Sequence, residues 1–112
     1  MNSADIDKDY KDYLEVFKGN EELGKELNLV TFEKLFNPEF LQAYSSFKDM
    51  NELIWRSDFG IMNLMEVEQV NQEKWNAYIA QNTQCQTWFE FGKLAMIEWM
   101  KKAIEANKNK QN

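Results

Sequence analysis

Apolar positions recur along this chain at helical spacing. Ile6, Tyr10, Tyr13, Leu14 and Phe17 fall at i, i+4, i+7, i+8 and i+11, one face of a helix over residues 5–18. Asp5, Asp7 and Asp9 stand near its start, where the helix dipole favours anions, and Gly19-Asn20 is its stop. Glu21 to Leu27 carries a weaker pattern that Gly24 interrupts, and reads as a marginal helical turn. Thr31 ahead of Phe32, Leu35 and Phe36 predicts a further short helix. Asn37-Pro38 opens the next, with Asn as the cap and Pro at the first helical position; Phe40, Leu41 and Tyr44 supply the buried side of helix 38–44. Asp49 begins a capping box with Glu52, ahead of an apolar face of Met50, Leu53 and Ile54 from which Trp55 points away; Ser57-Asp58-Phe59-Gly60 ends that helix. Asn63 and Glu66 repeat the capping spacing, so one or two helical turns are expected over 64–70. Asn71 starts helix 72–81, with Trp75, Tyr78 and Ile79 on one side. Thr87 and Glu90 form another box and open the longest helix, roughly 88–106.

Two stretches of this pattern align at an offset of 38 residues. Phe40-Leu41 matches Tyr78-Ile79, Ser45 matches Thr83, Phe47 matches Cys85, and 49–53 matches 87–91. Each copy reads as a helix, a small polar loop with one apolar anchor, and a second capped helix. The sequence therefore predicts an all-α fold: a compact bundle of five to seven helices containing two related helix–loop–helix units, 36–56 and 71–106. Residues 1–106 form one helical domain, with 1–30 as an acidic N-terminal helical extension. Residues 107–112, with only Asn, Lys and Gln, are expected to be a disordered tail.

The last helix is apolar around more than half its circumference. Trp88, Phe89, Met96, Trp99, Met100 and Ala103 cover a wide arc, Ile97 and Ile104 extend it, and Phe91 and Leu94 fall outside its centre. Such a helix belongs in the middle of a bundle or in an interface. Gly92 lies within the arc, and a mid-helix glycine costs about 1 kcal/mol relative to alanine. Close approach of another helix is the expected compensation.

Composition narrows the function more than it names one. Four Trp, eight Phe and four Tyr in 112 residues are enough to bury a sizeable core. Histidine is absent, which removes Ser-His-Asp and Cys-His catalysis, His-ligated zinc and Glu-x-x-His di-iron sites. The lone Cys85 makes no internal disulfide, fits a cytoplasmic location, and reads as a small buried hydrophobe like its match Phe47. Asp5-x-Asp7-x-Asp9 imitates the start of a calcium loop, but Tyr10 and Val16 stand where glycine and glutamate are needed. Glu52 and Glu90 are related by the repeat, yet both are already explained as capping residues. No cofactor, metal or catalytic residue is therefore expected, and the chain is not read as an enzyme. No apolar run reaches the roughly 20 residues that cross a bilayer.

Net charge is −6, unevenly spread: residues 1–70 carry fifteen acids against seven bases, whereas 101–112 hold four Lys against one Glu. That leaves no basic face for nucleic acid apart from the short lysine tail, best read as a solvated helix end.

The runs Phe36-Asn37-Pro38-Glu39-Phe40-Leu41, Tyr44-Ser45-Ser46-Phe47 and Ser57-Asp58-Phe59, the helix Trp75 to Ile79, and Thr83 to Glu90 resemble a group of small prokaryotic proteins with no established activity. Those share Phe-Thr-Pro-x-Phe-Met, Tyr-Thr-x-Phe-x-Ser-Phe-x-Glu and Ser-Gly-Phe elements, then a Trp-containing helix and Thr-x-Phe-x-x-Trp-x-Glu. The resemblance spans roughly residues 36–95 and implies a helical fold without any functional residue. This chain departs from it with Asp58 in place of Gly and Cys85 in place of Phe.

The leading expectation is a small non-catalytic cytoplasmic interaction or regulatory module. It would meet a protein partner, or a second copy of itself, through aromatic and Met side chains. Trp55, Trp88, Met96, Ile97, Trp99, Met100 and Ile104 are the candidate interface, and Met62 and Met65 could join Met96 and Met100 in lining an adaptable groove. The alternative is an inhibitor encoded by a mobile element, whose acidic N-terminal two-thirds occupies the nucleic-acid-binding groove of its target.

Overall fold

The computed structural model describes residues 3–110. These are built from α1 (Ser3–Lys18), α2 (Glu21–Leu29), α3 (Phe32–Leu35), α4 (Pro38–Tyr44), α5 (Met50–Arg56), a 3-10 helix (Leu64–Gln69), α6 (Gln72–Asn82) and α7 (Trp88–Lys110). The fold is an all-α bundle.

Side-chain caps set most of the helix starts. Asn20, Thr31, Asn37, Asp49 and Asn71 each accept from the backbone N–H three residues on. Thr87 does the same for Glu90 at 3.1 Å. Asn63 and Glu66 make a reciprocal capping box at the 3-10 helix. The Glu52 carboxylate reaches one residue further than a box requires, to the Lys48 N–H, and also pairs with Arg56 at 3.2 Å. The cap at Asn20 makes a nine-residue helix of the segment expected to be a marginal turn, because satisfied N–H groups offset the glycine inside it. Asp58 has φ +58° just past the end of α5, the left-handed cap position that usually holds glycine, and its N–H returns to the Trp55 carbonyl.

Phe47 and Cys85, the two loop anchors, are both buried in the core. Their loops pair with each other through a single antiparallel bridge, Ser45 to Thr83. That core also holds Ile6, Leu41, Leu53, Trp75, Ile79 and Phe91. Trp75, fully buried, meets Phe59, Tyr78 and Trp88 at 5.4–5.6 Å between ring centroids. A second, smaller cluster gathers Phe17, Leu23 and Met100 under α2, with Trp99, Ala103 and Ile104 packed against it.

Helix α1 lies parallel to α7. Ser3 meets Glu90, Asp7 meets Lys93, and Phe17 meets Trp99, so contacts advance in the same sense along both. Helix α7 buries different sides at its two ends. Phe91, Leu94, Ala95 and Ile97 turn into the main core, whereas Met100, on nearly the opposite side from Phe91, turns into the second cluster. This corrects the expected arc: Phe91 and Leu94 are central to the buried face and Phe89 lies outside it. A helix that is apolar all round carries no directional signal, so its neighbours decide which side is covered. The helix also continues to Lys110, beyond the expected end at Ala106; residues 111–112 of the expected tail lie outside the described residues.

Candidate functional site

The change of buried side along α7 leaves its outer face uncovered around Gly92. Tyr10 of α1 stands on one side and Phe32, Leu35 and Phe36 on the other, over a floor of Trp88, Phe89, Gly92, Lys93 and Met96. They enclose an open, largely apolar cavity of about 270 Å³. Phe36 stacks on Trp88 with ring centroids 5.0 Å apart and planes at 14°, and Trp88 in turn meets Trp75 edge to face. The wall of the cavity is thus tied to the most deeply buried residues of the domain.

Gly92 was expected at a tight helix–helix contact. The structure overturns this: apart from its chain neighbours and the backbone of its own helix, no heavy atom lies within 4 Å of where its Cβ would stand. Helices α1 and α3 pass on either side and leave the gap that forms the cavity.

Phe32, Trp88 and Phe89 also border a second, larger depression with Leu64, Met65, Val67, Glu68 and Gln72. Large apolar side chains stand out along these two depressions. Phe89 is 73% exposed, Met65 72% and Phe32 42%. Polar groups here are mostly engaged: Gln72 donates to the Val67 and Val70 carbonyls, and the Asn76 side chain accepts from the Trp88 N–H. Lys93 donates to Asp7 at 2.6 Å, and its ammonium lies 4.4 Å from the Phe89 ring centroid. The hydrogen bond from Lys93 holds the Asp7 carboxyl below its ordinary value. The Glu68 carboxylate has no ion pair among the described residues.

The expected interface residues do not form one surface. Trp88 and Met96 line the cavity. Ile97 and Met100 are wholly buried, which corrects their assignment to an interface: the two clusters enclose them. Trp99 and Ile104 are partly buried against the second cluster. Trp55 is 84% exposed on α5 and borders neither depression. Of the methionines, Met65 and Met96 reach the groove, while Met62 stands exposed and borders neither depression. Met65 is among the methionines expected at a groove, whereas sequence reasoning missed Phe32 as a surface residue. The readable signal is that Phe32 directly follows the Thr31 cap, ahead of Leu35 and Phe36, which turn toward the core.

Groups with chemical potential are quiet. Burial pushes the Cys85 thiol up to about 11, so almost none is thiolate at neutral pH. Glu52 and Glu90 are held by different partners, Arg56 and the Ser3 hydroxyl respectively. Among the described residues no group of three or more acids and cysteines converges as a metal site, and no helix is long and apolar enough to cross a membrane. No protein-family model, curated protein or solved structure matches this chain.

Proposed function

We propose that this protein is a small non-catalytic interaction module whose working surface is the groove around Gly92. One observation carries the reading. A 23-residue helix keeps a glycine in its second turn, with open space over it, the exposed Phe32 and Phe89 beside it, and the exposed Met65 beyond them. Among the described residues no close helix contact offsets the helix cost of that glycine. Contiguous exposed apolar surface of this kind is how monomeric domains mark a binding site. The quiet state of Cys85 and the structural engagement of Glu52 with Arg56 and of Glu90 with the Ser3 hydroxyl support a role without catalysis, and the free thiol supports a reducing, cytoplasmic setting.

The 38-residue repeat is, on this reading, a folding device that builds the rigid half of the molecule beneath the groove. Kinship with the small prokaryotic proteins it resembles is part of the proposal. It draws support from Asp58, whose left-handed backbone suits the glycine those proteins carry there.

Gly92→Leu tests the reading, because its Cβ meets no neighbour and the rest of its side chain extends into the groove. Proteins retained from the host by the immobilised wild-type chain should be lost with Gly92→Leu and kept with Trp55→Ala. Retention unaffected by Gly92→Leu would rule out the groove.

A further inference from the structure

We infer that the groove receives a cationic amphipathic helix from a partner protein, an inference that rests on the groove being the working surface. Shape is the first argument. The inner cavity, about 270 Å³ and open, falls just under the roughly 300–1,000 Å³ of small-molecule pockets. It suits one or two side chains. The adjoining depression beyond Phe89 takes the next ones along, the pattern of anchors at i, i+3 or i+4 and i+7 on a docked helix.

Charge is the second argument. Among the described residues Lys93 is the one cation bordering either depression, and it is paired with Asp7. Glu68 borders the outer depression without an ion pair, and the chain as a whole carries −6. The charge bias therefore favours lysine and arginine on the flanks of an apolar stripe. It disfavours a second copy, because two chains of net charge −6 repel each other and a two-fold contact sets Glu68 on the same side in both.

The probe is a synthetic helix-forming peptide of about 18 residues, long enough to run some 27 Å, with Leu and Trp on one face and Lys elsewhere. Two controls accompany it: the same peptide with Glu for every Lys, and a scrambled Lys peptide with no apolar face. Each is titrated into the isotopically labelled full-length protein while amide resonances are followed. The Lys peptide should bind with shifts centred on Phe32, Met65, Phe89 and Gly92. Its affinity should fall with added salt and drop about twofold to fivefold in Glu68→Gln. Equal binding of the Glu peptide in the groove would overturn the charge inference and leave the groove reading standing. Scrambled peptide binding as well as the amphipathic one, with shifts spread over α1, would overturn it as non-specific attraction. Silence of the groove resonances with all three would sink both readings. A peptide-free dimer in sedimentation, dissolved by Phe89→Ala, would replace the cationic helix with a second copy.

Discussion

Ser45 and Thr83 face each other across an antiparallel bridge, and each does the same thing on its own side. The Ser45 hydroxyl donates to the Leu41 carbonyl and accepts from the Phe47 N–H; the Thr83 hydroxyl donates to Ile79 and accepts from Cys85. The bridge exchanges Ser46 N–H to the Asn82 carbonyl for Gln84 N–H to the Tyr44 carbonyl. Every residue in one set lies 38 positions from its counterpart in the other. The two loops are therefore related by a local two-fold, and each hydroxyl ends one helix while steering its anchor inward.

The caps that follow these loops should carry comparable weight. Asp49→Ala and Thr87→Ala should each lower stability by about 0.5–2 kcal/mol in urea unfolding, because each leaves a helix N–H without its acceptor. Unchanged midpoints for both would remove capping as the reason α5 and α7 begin where they do.

Neighbouring residues of α7 should respond in opposite ways. Phe91→Ala should cost about 3–5 kcal/mol, since Phe91 is wholly enclosed. Phe89→Ala should stay within about 0.5 kcal/mol of wild type, since its ring stands in solvent. Equal losses for the two would mean that α7 is rotated from the orientation described.

Gly92→Ala should stabilise the protein by about 1 kcal/mol, the gain in helix propensity, with no clash to offset it. A lowered denaturation midpoint would place another element against Gly92 and close the groove.

Stability should decline above pH 9. Burial raises Cys85 from its ordinary 9.0 to about 11 and Tyr78 from 10.0 to about 12. Both groups ionise first in the unfolded chain, so the contribution is full below about pH 9 and is lost as pH rises through the folded values. Cys85→Ala should flatten the lower part of that decline. Wild-type melts that stay level between pH 9 and 11 would contradict the burial of both groups.

Local chemistry explains what was legible in the sequence. Asn37, Asp49, Asn71 and Thr87 were readable as caps because a cap bonds three residues away, within its own segment. The loop anchors were readable because Phe47 and Cys85 recur in matched surroundings. Ile97, Met100 and Gly92 were misplaced for a different reason. Whether each is covered or left open depends on α1, α2 and α3 coming to different sides of α7, which periodicity within α7 does not encode. The groove is a product of that arrangement, so Phe32 and Met65 join it from segments distant in sequence.

Contact in the living host tests the central claim most directly. A photoreactive benzoylphenylalanine replaces Phe89 in one strain and Trp55 in another, and cells are irradiated. The groove reading predicts a discrete cross-linked adduct with another protein chain from position 89, lost when Gly92→Leu is added, and none from position 55. Absence of any adduct at 89, or the same adduct from both positions, would contradict it.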